Sequence, residues 1–241
     1  ATMASSLAQG KGFTVGYISS FFERYPNVVR PEDHWPPLYP MLVAPFFALF
    51  GESVLVAKIP TLLISSFGLP WTAYALTKKF GENRWAGLGS GLTVLLYPIM
   101  FKSSLEAVSD ISYTFVFLMS IIFLIKGLKG SEEKKTAVGT GISWDFALMG
   151  VFFGLAYYGK GNHVIYFPAY VICYLFMKKS WWFAARDKAF LVGMSIALAI
   201  IIPWWIRNIV HFGDPLFSTQ AYISGLQGYG EANGLFVYWD E

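Results

Sequence analysis

Apolar residues in this chain come in runs separated by short polar loops, and the length of each run predicts what it does. Runs near 56–77, 85–101, 108–125, 139–159, 163–177 and 189–206 are each close to the roughly 18–20 residues that carry an α-helix across about 30 Å of hydrocarbon. Residues 1–35 have no such run. They are polar and aromatic, with turn formers at Gly10, Gly12, Gly16, Pro26 and Pro31, and predict a loop region opening with a short helix over Ala1–Gln9. Between the two regimes stands Glu32-Asp33-His34-Trp35-Pro36-Pro37, leading into an apolar segment, Leu38–Phe50, that contains Pro40 and Pro45. As a helix that segment would be about 20 Å long, too short to cross, and it is predicted to lie along the membrane interface.

Composition supports a bilayer as the main solvent. Apolar residues make up 55% of the 241, aromatics 19% and charged residues 14%, with a mean hydropathy of +0.49. Soluble domains carry about 25% charged residues, so most of this surface must face lipid. The net charge of +3 is spread over short loops and forms no stripe able to follow a phosphate backbone, which argues against nucleic acid as a partner. The one cysteine, Cys173, lies inside an apolar run and reads as a small core hydrophobe. Gly87 with Gly91, and Gly150 with Gly154, have the small-xxx-small spacing that lets helices approach closely.

Charge orients the spans. Loops carrying Lys78, Lys79 and Arg84, then Lys126, Lys129, Lys134 and Lys135, then Lys178, Lys179, Arg186 and Lys188 alternate with loops poor in basic residues. By the positive-inside rule the first set is cytoplasmic and the second faces outward, together with residues 1–55. All three histidines, His34, His163 and His211, then fall at the outer surface, along with Glu32, Asp33, Glu106, Asp110, Lys160, Arg207 and Asp214. Acids, bases and cations gathered at one membrane face suit transfer chemistry on a lipid-linked phosphate.

Each of these residues also has a structural reading. Asp110 follows Ser109 at a helix start, where it can cap the helix, aim a carboxylate at a site, or do both. Lys160, between Gly159 and Gly161, can snorkel to headgroups or hold a lipid phosphate. Arg207 ends the last predicted span after Pro203-Trp204-Trp205-Ile206, as an interfacial anchor or a fork for phosphate. His34 beside Glu32 and Asp33 has a spacing compatible with a divalent metal, without forming a ligand motif. Asp145, near a cytoplasmic helix start, reads as structural, and the Gly225 to Gly234 segment as a flexible outer loop.

Several stretches taken in order resemble the polyprenyl-phosphate-sugar transferases of the GT-C superfamily, which include protein O-mannosyltransferases and the aminoarabinose transferase that modifies lipid A. They are Ala8-Gln9-Gly10-Lys11-Gly12-Phe13, His34-Trp35-Pro36-Pro37-Leu38-Tyr39-Pro40, Leu49-Phe50-Gly51-Glu52-Ser53 and Lys79-Phe80-Gly81. Ala107-Val108-Ser109-Asp110, Gly154-Leu155-Ala156-Tyr157, Lys160-Gly161, Pro203-Trp204-Trp205-Ile206-Arg207-Asn208 and Phe212-Gly213-Asp214-Pro215 follow. The resemblance implies an all-α polytopic helical bundle with an outer first loop and juxtamembrane helix, and a principal catalytic acid preceding Ala1. It implies further that Asp110 is a carboxylate near the site, that Lys160 lies near lipid phosphate, and that His34 stands where relatives place an acidic metal ligand. Arg207, with its planar fork, is expected to be a further phosphate contact.

The resulting expectation is an inverting membrane glycosyltransferase of the plasma (inner) membrane. Residues 1–55 would form the outer loop with its juxtamembrane helix at 38–50, residues 56–206 a core of about six helices, and 207–241 the start of another outer loop. The donor would be a polyprenyl-phosphate-linked sugar, the acceptor a hydroxyl of a lipid, glycan or protein, and a divalent metal the candidate cofactor. The rival is a transporter or flippase, which would place ionisable groups near the membrane midplane; a scaffold without catalysis is a third reading.

Overall fold

The computed structural model describes residues 2–17, 27–32, 34–81, 83–133, 143–178 and 187–218. The expected loop and glycine-rich segment beyond residue 218, most of the basic loop before residue 143, and residues 179–186 lie outside the described residues, as does Asp33. What is described is helical apart from one two-residue strand pair.

The first loop opens with α1 (Thr2–Ala8), as expected. It then departs from expectation: β1 (Thr14–Val15) pairs antiparallel with β2 (Arg30–Pro31), and the Glu32 N–H extends the contact to the Phe13 carbonyl at 2.9 Å. A ladder this short has no sequence signal of its own. It brings Glu32 and the Pro-Pro corner back against the start of the chain.

Helix α2 spans Leu38–Phe50, the segment predicted to be too short to cross. It ends at Gly51, whose φ of 80° suits a residue without Cβ. Its buried face, Tyr39, Val43 and Phe47, packs with Ala4 of α1 and Ala57 of the next helix, while the Tyr39 hydroxyl bonds the Ala57 carbonyl. Ser53 caps that next helix by accepting from the Val56 N–H at 3.1 Å. Helix α3 (Val54–Leu63), a π-helical turn (Ile64–Gly68) and α4 (Leu69–Gly81) run on as one 28-residue apolar rod.

The span expected over 85–101 is not a single helix. Helix α5 (Arg84–Leu96) stops at Tyr97, which has ψ 120°, and α6 (Pro98–Ser104) restarts immediately after it. Pro98 pushes its predecessor out of the helical region and is itself at home at a helix start. Helix α7 (Ser109–Glu133) and the last helix, α10 (Lys188–Phe212), are longer than expected, so Lys126 and Lys129 sit on a helix, and Arg207 and Asn208 lie inside one instead of ending it. Three rods, Val54–Gly81, Ser109–Gly130 and Lys188–Phe212, are long and apolar enough to cross a membrane. Helix α8 (Trp144–Gly159), with 16 residues, and the 3-10 turn Gly161–Ile165 leading into α9 (Tyr166–Lys178), complete the described bundle.

Helix α8 lies at the centre. Phe146, Met149 and Phe153 are buried among Leu128 of α7, Tyr174 of α9 and Ala197 and Ile201 of α10. Close approach to α10 depends on glycine: a Cβ on Gly150 would fall 1.9 Å from the Gly193 carbonyl oxygen, and one on Gly154 2.7 Å from Ile200 Cβ. Gly87 and Gly91 do the same for α5, facing Tyr74 and the Pro70 carbonyl. Both glycine pairs read from spacing are thus helix contacts. Cys173, by contrast, is exposed. Helix α9 packs through Tyr170 and Tyr174, which turns the intervening Ile172 and Cys173 outward, and the expectation of a core position is corrected.

Candidate functional site

The bundle has two chemically different ends. At one, Gly127, Phe146, Tyr174 and Phe190 pack together near the basic segments, and Asp187 caps α10 while accepting from the Tyr174 hydroxyl at 2.6 Å. At the other, the start of α7, the end of α8 and the end of α10 meet the first loop around a hollow of about 1070 Å³. Glu32, His34, Asp110, Lys160 and Arg207 all line it. They come from four separate places in the sequence, and no single motif contains more than two of them.

Glu32 builds the lip. Its Oε1 accepts from the N–H groups of His34 at 2.8 Å and Trp35 at 3.0 Å, fixing the turn before the proline corner. The side chain is 2% exposed, and Oε2 is buried with no partner among the described residues. The His34 ring lies edge-on to Trp35, with centroids 4.7 Å apart, and its Nδ1 is likewise buried with no partner among the described residues. Among the described residues no group of three or more His, Cys, Asp or Glu gathers. Glu32 and His34 are the described candidate ligands at the lip, and Asp33 between them lies outside the described residues.

Asp110 and Lys160 form an ion pair at 2.9 Å, with side chains 68% and 45% exposed. Asp110 sits in the first turn of α7, where the helix dipole favours its charge. Lys160 leaves α8 in extended backbone, φ −149° and ψ 117°, while its N–H still bonds the Ala156 carbonyl and its own carbonyl accepts from His163. Its ammonium also lies 5.5 Å over the Tyr113 ring. Sequence reasoning treated the two residues as independent; fifty residues of separation hid the pair.

Arg207 joins the helix end to the loop. It donates to the Glu32 carbonyl at 2.6 Å and to Asn208 Oδ1 at 2.9 Å, and its guanidinium lies over Trp204 at 4.6 Å and Phe212 at 5.1 Å. Asn208, 2% exposed, uses Nδ2 to hold the Pro215 carbonyl at 3.1 Å and so folds residues 213–218 back over the hollow. Phe13 packs edge-on to Trp204 at 5.4 Å, a second tie between loop and helix. The hydroxyl of Tyr157, also in the wall, accepts from Trp205 Nε1 at 2.8 Å. Asn208 and Tyr157 were missed; a buried asparagine inside an apolar helix was the available signal.

The histidines do not share a rim. His34 lines the hollow, but His163 is fully buried among Tyr113, Phe117, Phe153 and Tyr166, with Nδ1 bonded to the Tyr113 hydroxyl at 3.2 Å. His211 is exposed in the last turn of α10 and does not line the hollow. The 3-10 turn after Gly161 rotates His163 inward, an effect periodicity could not forecast.

No curated protein and no solved structure matches the chain. Residues 34–206 match the family model described as dolichyl-phosphate-mannose-protein mannosyltransferase. The matched region runs from the lip histidine through the bundle to the base of Arg207, and includes Asp110 and Lys160 in the wall of the hollow. With an apolar helical bundle of spanning length beneath that wall, the chain belongs to the dolichyl-phosphate-mannose-protein mannosyltransferase family and is a membrane glycosyltransferase of the GT-C type.

Proposed function

We propose that this chain forms the core of an inverting transferase that moves a sugar from a polyprenyl-phosphate donor to a hydroxyl acceptor on the extracytoplasmic face of the plasma (inner) membrane. The family description names a dolichyl-phosphate-mannose donor, which makes mannose the first sugar to test. The observation that carries the reading is the convergence of Lys160, Arg207 and Asp110 on one hollow at the end of the bundle away from the basic segments. That separation is what the positive-inside rule requires of an outward-facing site.

In the reaction the acceptor oxygen attacks the anomeric carbon from the face opposite the phosphate. The carbon–oxygen bond to phosphate breaks, its electron pair leaves on polyprenyl phosphate, and the acceptor proton passes to a carboxylate. Lys160 and Arg207 neutralise the charge growing on the departing phosphate. Asp110 orients the acceptor hydroxyl for attack. The Asp110–Lys160 pair is compatible with both roles: an exposed pair is worth only about 0–1 kcal/mol, so a donor phosphate can draw Lys160 away and leave the carboxylate to the acceptor.

The test is transfer of labelled mannose from dolichyl-phosphate-mannose by the intact protein in vesicles, comparing Lys160→Met with the native chain. Loss of a charge-assisted contact worth about 1.5–3 kcal/mol predicts a roughly 10- to 100-fold rise in the donor KM. An unchanged donor KM would remove Lys160 from the phosphate site, and no transfer from any polyprenyl-phosphate sugar would overturn the reading.

A further inference from the structure

A second concavity lies far from the hollow, between α4 and α7. It is walled by Trp71, Ala75, Leu76, Ile122 and Ile125 and flanked by Lys79 and Lys126. Lys126 is about 24 Å along α7 from Asp110, so this is the opposite end of the bundle. At about 60 Å³ the concavity is far below the roughly 300 Å³ at which small-molecule pockets begin. It is a short groove in a surface facing lipid.

The groove has a direction. Trp71, Ala75 and Lys79 recur every four residues on one face of α4, placing the half-exposed indole about 12 Å deeper along the helix than the Lys79 backbone. The Lys129 ammonium is engaged by the Lys79 carbonyl at 3.4 Å, which clamps the two helix ends together. Lys126 lies 5.2 Å over the Phe123 ring, and Lys78 5.6 Å over Tyr74. Among the described residues neither Lys79 nor Lys126 has an acidic partner. Two cations thus stand at the headgroup end of an apolar furrow that runs toward the bilayer interior, the shape and charge complementary to a phospholipid with net negative charge.

We propose that the α4–α7 seam binds an anionic phospholipid, its phosphate between Lys79 and Lys126 and one acyl chain along the furrow to Trp71. The site is separate from the transfer chemistry and does not depend on it.

Tryptophan quenching by lipids brominated on the acyl chain tests this on the intact protein in phosphatidylcholine vesicles. At about 1 kcal/mol per lysine, two lysines correspond to a roughly 30-fold preference for phosphatidylglycerol over phosphatidylcholine at this position. Brominated phosphatidylglycerol is therefore expected to quench a component that equal brominated phosphatidylcholine does not. The component should disappear in Trp71→Phe, disappear in Lys79→Gln/Lys126→Gln and persist in Lys79→Arg/Lys126→Arg. Equal quenching of the native protein by the two lipids would overturn the proposal, as would an anionic-lipid component that survives Trp71→Phe. If the Gln variant does not fold, the native-protein comparison and Trp71→Phe still decide the matter.

Discussion

Arg207 Nη2 donates to the backbone carbonyl of Glu32 at 2.6 Å, a contact across 175 residues of sequence. It fixes the first loop to the end of α10, and the Glu32 side chain fixes the turn that carries His34. One guanidinium therefore shapes the lip of the hollow before it meets any phosphate.

Replacing Arg207 with alanine should remove two charged hydrogen bonds and two ring contacts at once. The expected loss is about 1.5–3 kcal/mol, felt locally. Hydrogen exchange should accelerate at residues 27–36 while the α8 core stays protected. Arg207→Lys keeps the charge but not the fork, and should restore little of that protection. Unaltered exchange in the loop would show that the strand pair and Phe13 hold it unaided.

Asp110 should separate stability from activity. Its partner Lys160 is close to half exposed, so Asp110→Asn is expected to change unfolding free energy by less than about 1 kcal/mol. Because the carboxylate orients the acceptor hydroxyl, the same substitution should slow sugar transfer by roughly 10²-fold. Undiminished turnover with normal expression would make the pair a surface ornament.

The glycines of α8 and α10 offer a stability test independent of function. Gly150→Ala would put a methyl group 1.9 Å from the Gly193 carbonyl oxygen, so the helices must separate. Overpacking costs typically 1–3 kcal/mol or more, and here backbone is the obstacle. A matched Gly89→Ala, with nothing within 4 Å, should be neutral or stabilise α5 by about 0.5–1 kcal/mol. Thermal unfolding of the two variants in one detergent makes the comparison.

What could be read in advance follows from the range of the forces involved. Helix α2 was legible to the residue because Pro36-Pro37 and Gly51 are local punctuation. The break at Tyr97 was equally local, but the apolar run on both sides outweighed Pro98 in the expectation. That His34, Asp110, Lys160 and Arg207 would gather at one end of the bundle was legible because charge avoids lipid and so collects at helix ends. Its pairings were not: Asp110 with Lys160, Arg207 with Glu32 and Tyr113 with His163 join residues at least fifty apart through packing alone. The fate of His163 depended on a single 3-10 turn, which rotates side chains differently from an α-helix.

Glu52 supplies the pH dependence of the juxtamembrane assembly. Its Oε1 accepts from the Ser5 hydroxyl at 2.6 Å and from Gln9 Nε2 at 2.9 Å, tying α1 to the turn between α2 and α3. These bonds, Ser5 first and then Gln9, hold the carboxyl below its ordinary range. A lowered folded-state pKa means that Glu52 contributes stability above the ordinary carboxylate range and loses it as pH falls through the lower value. Protease cleavage at residues 9–13 of the intact protein should therefore rise on acidification. Glu52→Gln should show high cleavage at neutral pH and a flatter pH profile, whereas Lys11→Ala should keep the native profile, because the charge of Lys11 is the smallest of the influences on this carboxyl. A Glu52→Gln protein with the native pH profile would move the acid sensitivity of this region to another carboxylate.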